Sequence, residues 1–177
     1  MKHDLSRHPS ILPDQRKLDL EIYRRVDMHW IVRDKNHLLW FSDLLNRICL
    51  NNEQDRTHLD IRLSNHLTRK QKDLSLHIYR CLLERHRTEE EPRSLLTGLV
   101  APTAFGRPDF KSILDSHYDD MLQLFQRDPG RRKKVGVFFC GTPIIGEQLA
   151  DLCHELTLRS AAEGAHIEYH FQIEVFG

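Results

Sequence analysis

VGVFFCGTPIIGEQL, residues 135–149, is the stretch on which the fold turns. Val135 through Cys140 make a continuous apolar run, the pattern of a strand buried on both faces of a parallel sheet. The run enters Cys140-Gly141-Thr142-Pro143 directly, and Ile145, Leu149, Leu152 and Leu156 then recur at the spacing of a covering helix. Strand, tight turn and helix form the repeating unit of parallel α/β folds, whose ligands lie beyond the carboxyl ends of the strands. Gly141 removes a side chain where a flat ring could approach the backbone. Thr142 can cap the helix, and Pro143 suits its first position. Cys140 then points its sulfur into the crevice; read alone, it is equally a buried structural cysteine in an ordinary strand–helix turn.

Outward from this unit the same alternation repeats. Residues 26–32 read as a strand, and Leu38, Phe41, Leu44, Leu45 and Ile48 form one apolar stripe along a helix. Leu59, Ile61 and Leu63 alternate with polar residues as a half-buried strand does, and Leu74, Ile78, Cys81 and Leu82 form the next helical stripe. RTEEEPR, residues 87–93, reads as an exposed charged connection. Phe110, Ile113, Leu114, Tyr118, Met121, Leu122 and Phe125 mark an amphipathic helix, closed by the turn chemistry of Asp128-Pro129-Gly130. Residues 166–175 supply a last strand. The pattern predicts an α/β fold in one domain over residues 21–177, after a polar, proline-punctuated lead-in at 1–20 that buries too little apolar surface to order itself.

Composition narrows the function. Acidic and basic residues balance at 26 each, so the chain shows none of the basic excess of a nucleic-acid binder. The four cysteines, Cys49, Cys81, Cys140 and Cys153, lack zinc-site spacing and read as reduced thiols. No run reaches the roughly 18 apolar residues of a membrane-spanning helix, so the chain itself is expected to be soluble. His166, Glu168 and His170 share one face of the last strand and form a possible zinc set, but no other pair shows ligand spacing and no metal site is expected; His58, His66, His77 and His86 read as surface residues.

Four motifs occur in a telling order: Trp30-Ile31-Val32-Arg33-Asp34 with Trp40-Phe41 following; Thr97-Gly98-Leu99 leading to Gly106-Arg107-Pro108; Cys140-Gly141; and a tail with Glu174 before Phe176. Over about residues 22–177 this series resembles the ferredoxin-reductase-like dehydrogenase domain of the NADPH oxidases, including dual oxidases and plant respiratory burst oxidases. The chain departs from that family in Gly177 after the usually terminal phenylalanine, in Thr142 after Cys-Gly, and in having no glycine-rich phosphate loop.

The resemblance implies an α/β fold: a parallel sheet with helices on both faces, a ferredoxin-reductase-like NADP-binding domain incomplete at its N-terminal end. It places the pyrophosphate loop, the FAD-binding barrel and the transmembrane heme helices upstream, or on an equivalent chain, with this domain on the cytosolic side of a membrane. Arg33 and Arg107 are implied to grip the 2′-phosphate of NADPH, for which guanidinium forks are suited. The residues alone allow Arg33 to be a surface partner of Asp34 or Asp43. Cys140, with Gly141 and Thr142, is implied to lie at the nicotinamide, and Phe176 to stack on the isoalloxazine; a frayed terminal aromatic is the other reading of Phe176. The implied activity is hydride transfer from NADPH to FAD, then electrons through heme to dioxygen, giving superoxide or hydrogen peroxide. Alternatives are a ferric-chelate reductase module and a truncated, non-catalytic interaction fragment, and the chain alone is expected to be inactive.

Overall fold

A computed structural model describes residues 24–54, 59–70, 72–88, 90–125 and 133–174. The lead-in at 1–20, His58, the Asp128-Pro129-Gly130 turn and Phe176 lie outside the described residues, as does the side chain of Phe125. The chain divides into two compact units, Met1–Pro108 and Asp109–Gly177.

In the first unit the order is β1 (Arg24–Val32), α1 (Lys35–Leu39), α2 (Ser42–Gln54), β2 (Leu59–Leu67), α3 (Leu74–Arg85) and β3 (Thr103–Phe105). The strands pair in parallel in the order β1-β2-β3, with Val32, Leu67 and Phe105 level with one another. Alternation sends Met28, Trp30, Val32 and Leu63 to one face, where they pack with Leu38, Leu45 and Ile48 of the two helices and with Leu99 and Ala101. The single helix expected from Leu38 to Ile48 is broken at Trp40 and Phe41, where the Ser42 hydroxyl donates to the Leu39 carbonyl; Phe41 and Leu44 stay exposed. The opposite sheet face is polar. It carries Arg25 paired with Asp27, Arg62 paired with Asp60, and His29 beside His66.

Two expectations are corrected here. His66 is not a surface residue: it is only 8% exposed, because β2 runs on from Leu63 to Leu67 and carries it into the sheet. The stripe on α3 is not core, for Leu74, Ile78 and Leu82 are exposed and Cys81 is half-buried. Instead α3 sets polar and cationic groups against β3: Arg80 lies 5.1 Å over the Phe105 ring and His77 meets that ring edge-on.

The second unit runs α4 (Phe110–Phe125), β4 (Lys133–Cys140), α5 (Pro143–Glu163) and β5 (Ile167–Glu174), with β4 and β5 parallel and in register from Lys133 opposite Ile167 to Cys140 opposite Glu174. Leu114, Tyr118 and Met121 of α4, Leu149, Cys153 and Leu156 of α5, and Ile167 and Tyr169 of β5 form one core. Burying each of the leucine, isoleucine and methionine side chains contributes about 1.5 to 3 kcal/mol. Fully buried Tyr118 keeps its hydroxyl satisfied by donating to Glu163 at 2.6 Å, and burial pushes its pKa up to about 12. A Cβ at Gly146 would meet the terminal methyl of the Ile173 side chain at 2.6 Å, so glycine gives that side chain its room between α5 and β5. The apolar run of β4 is covered on one face only: Val135, Val137 and Phe139 pack on the core, whereas Phe138 is 73% exposed and Cys140 is exposed. The expectation of a strand buried on both faces is thereby corrected.

Candidate nucleotide-binding site

Strand ends position the candidate residues. In the first unit two ladder hydrogen bonds extend past the strands, from Thr68 N to the Val32 carbonyl (2.8 Å) and from Gly106 N to the Leu67 carbonyl (3.0 Å). Arg33 follows β1 directly, and Gly106-Arg107-Pro108 follows β3. Gly106 has φ +122°, a backbone conformation open essentially to glycine, and this turns the chain out of β3 at the residue before Arg107. Both arginines are exposed, and neither forms an ion pair or side-chain hydrogen bond with another described residue. Asp34 is thus not the partner of Arg33. Its carboxylate accepts from Asn36 N at 3.0 Å and from the Arg69 guanidinium at 2.8 Å. The Asn36 N–H first and Arg69 second hold it below the usual carboxylate range.

The loop that delivers β3 is riveted by buried polar groups that sequence reasoning did not single out. The Glu84 carboxylate, on α3, accepts from Thr103 N at 2.9 Å, from the Ser94 hydroxyl and from the Arg87 guanidinium. Arg87 also donates to the carbonyls of Pro92, Val100 and Ala101. Residue 87 is therefore no exposed connector; its guanidinium sits under the loop. From α2, Asn46 donates to the Gly98 carbonyl (2.9 Å) and accepts from Val100 N (2.8 Å), and the Ser94 hydroxyl accepts from Thr97 N (3.1 Å). Gly98 takes φ +68° at the tip. The RTEEEPR stretch offered only its net polarity as a signal, which cannot distinguish a solvated arginine from one capping carbonyls.

In the second unit Cys140 closes β4, Gly141 makes the turn, and Thr142 is the N-cap residue of α5. Its backbone, with φ −69° and ψ 137°, is that of a cap, and its carbonyl accepts from Ile145 N and Gly146 N, but its side chain makes no cap bond. Pro143 occupies the first helical turn. The ring that comes against Gly141 is that of Phe139, which would lie 2.6 Å from an added Cβ. An added side chain there would displace the Phe139 ring, so the strand end itself already favours glycine at that position. The contrast between cysteines is sharp: Cys140 is exposed, whereas Cys153 is buried in the core and its thiol is pushed up to about 11 by burial. His170 pairs with Glu168 at 3.6 Å, and His166 lies outside β5 with φ +56°. Among the described residues no group of three or more metal-ligating side chains comes together, and no helix is long and apolar enough to cross a membrane.

Parallel strands alternating with helices, present in each unit, define a parallel α/β protein, a class whose ligands lie beyond the carboxyl ends of the strands. Residues 12–154 match the family model described as the ferric reductase NAD-binding domain, and the chain belongs to that family. Among curated proteins it is similar to dual oxidase 2 of Rattus norvegicus, 28% identical over 84% of this chain and 9% of that one. It is also similar to NADPH oxidase 3 of Homo sapiens, 30% identical over 86% of this chain and 23% of that protein. A superoxide-generating NADPH oxidase heavy chain of Dictyostelium discoideum is 29% identical over 71% of this chain and 20% of its own length. The chain thus spans less than a quarter of the length of these relatives.

Proposed function

We propose that this chain is the NADPH-binding portion of a flavin-dependent NADPH oxidase, in which Arg33 and Arg107 take the 2′-phosphate and Cys140 lies at the nicotinamide. The observation that carries the reading is the pair of exposed arginines at the ends of β1 and β3, neither committed to another described residue. A guanidinium donates five N–H bonds in a fixed fork, so two of them suit a dianion and distinguish NADPH from NADH, which differ only in that phosphate. Thr142, with its hydroxyl unspent on capping, adds a donor beside Cys140, and Gly141 keeps the turn low. Exposed at its strand end, the Cys140 side chain orients the nicotinamide by contact and does not react itself.

Hydride acceptance by FAD and electron passage through heme to dioxygen, giving superoxide or hydrogen peroxide, are the chemistry those groups supply when bound, and the resemblance puts their binding on upstream membrane-associated segments. A ferric chelate as final acceptor is the second reading, favoured by the description of the matching family. The test is titration calorimetry of this chain with NADP⁺ and NAD⁺. Arg107→Ala is expected to weaken NADP⁺ by about 1.5 to 3 kcal/mol and to leave NAD⁺ unchanged. Equal loss for both nucleotides would assign Arg107 to the fold.

A further inference from the structure

We infer that Arg69 is a third, specificity-determining member of the 2′-phosphate subsite, completing with Arg33 and Arg107 a rim of guanidinium groups along the ends of all three strands of the first unit. The inference rests on the proposed reading of Arg33 and Arg107 and extends it to a residue that neither the motifs nor the family resemblance singled out.

The register carries the argument. Val32, Leu67 and Phe105 stand level, and the bonds from Thr68 N to Val32 and from Gly106 N to Leu67 hold the three exits in line. The Thr68 hydroxyl also donates to the Val32 carbonyl at 3.1 Å, tying the exit of β2 to that of β1. Neighbouring strands lie about 4.8 Å apart, so the first and third exits are separated by roughly 10 Å. Each exit carries an arginine within two residues of the level pairs: Arg33 after Val32, Arg69 after Leu67, and Arg107 after Phe105. Three extended guanidinium groups can converge on one phosphate across such a span.

Asp34 gives Arg69 a particular task. A carboxylate next to Arg33 repels a dianionic phosphate and favours a ribose hydroxyl, which would tilt the site toward NADH. Here the Arg69 guanidinium is on that carboxylate at 2.8 Å, with the arginine side chain still 65% exposed. Three arginines and one aspartate leave the rim with two net positive charges. Arg69 spends one N–H on Asp34 and keeps others for a phosphate oxygen. It therefore cancels the charge that would oppose NADPH while adding donors of its own.

The experiment titrates the 177-residue chain with adenosine 2′,5′-bisphosphate and with 5′-AMP, which differ in the 2′-phosphate alone. Arg69→Ala is expected to weaken the bisphosphate about tenfold and leave 5′-AMP unchanged. Adding Asp34→Asn to Arg69→Ala should restore roughly threefold of that loss, because the uncancelled carboxylate is then gone. Arg69→Gln, which keeps a polar, uncharged side chain with part of the methylene stem, is the second variant should Arg69→Ala lose its native far-ultraviolet circular dichroism. If Arg107→Ala loses bisphosphate affinity while both Arg69 variants keep it, the assignment of Arg69 is overturned and the reading of Arg107 stands. An Arg69 variant that weakens both ligands equally also overturns it. If the parent chain binds the two ligands alike, or neither, the 2′-phosphate reading falls and Arg69 with it.

Discussion

Two turns that the sequence marks with glycine are held by opposite means. Residues 94–101, which lead into β3, are fixed by directional bonds from buried polar groups: Glu84, Arg87 and Asn46 reach the loop from outside, and the Ser94 hydroxyl bonds within it. The Cys140-Gly141-Thr142 turn is shaped by the apolar packing of Phe139 and by the start of α5, while its polar side chains remain exposed. A buried hydrogen-bonded carboxylate fixes geometry but tolerates no missing partner, because each orphaned group then bears its full desolvation cost. An apolar-backed turn leaves its polar groups available for a ligand. The first arrangement positions a neighbour, the end of β3; the second presents its own atoms.

Glu84→Ala is expected to have the largest effect. It strips the carboxylate from Arg87, Ser94 and Thr103 at once, and breaking a buried pair in this way costs about 3 to 5 kcal/mol. Urea unfolding should show that loss, and Thr142→Ala in the second turn should cost almost nothing. Comparable losses for the two variants would abolish the distinction.

Alkylation compares exposed with buried groups within the second unit. Cys140 should react with iodoacetamide readily, and NADP⁺ should slow it if the nicotinamide lies there. Cys153, with a thiol at about 11 against an ordinary 9.0, has a thiolate fraction about a hundredfold below that of an ordinary thiol and is shielded as well. Mass spectrometry of the modified peptides reads both rates, and equal labelling would remove the exposed-turn picture.

Gly106→Ala is a smaller perturbation, about 1 to 3 kcal/mol of backbone strain at φ +122° with nothing within 4 Å of the added Cβ. Its mark should be weakened NADP⁺ binding with NAD⁺ retained, because the strain relaxes by moving the exit that carries Arg107. Unaltered NADP⁺ affinity would show that the exit does not set the arginine.

The smallest effect concerns pH. Burial lowers the pKa of His29, against an opposing pull from Asp27, and lowers that of His66, where His29 adds to the shift. The unfolded chain therefore binds protons that the folded one refuses. Their contribution is fully present above the unfolded value of 6.5 and is lost as pH falls from there through the lowered folded values. His66→Gln should flatten the dependence of the urea midpoint between about pH 5 and 7. A slope unchanged by the substitution would exclude His66 as its source.

Much of the fold was legible because strand and helix periods differ. The strand and helix around Cys140 occur where the pattern predicts them, and β3 was missed because Thr103, Ala104 and Phe105 are too few to show an alternation. The α3 stripe misled because Leu74, Ile78 and Leu82 recur at helical spacing whether or not anything covers them. Of the candidate site, Cys140 was legible by position, at the end of a strand marked by its apolar run, whereas Arg33 and Arg107 were reached through the family resemblance, Arg107 after a strand too short to show a pattern.

Arg69 and Glu84 were not legible. Arg69 lies 35 residues from Asp34, and Glu84 lies 19 residues from the Thr103 amide that it accepts from. The sequence sufficed for the longer strands and helices and for the parallel α/β class, because those follow from local periodicity and turn chemistry. Which charges meet is set by folding: Asp34 belongs to Arg69 and not to Arg33, and Arg87 lies beneath a loop. Such pairings depend on parallel register, which brings together residues that no local pattern connects.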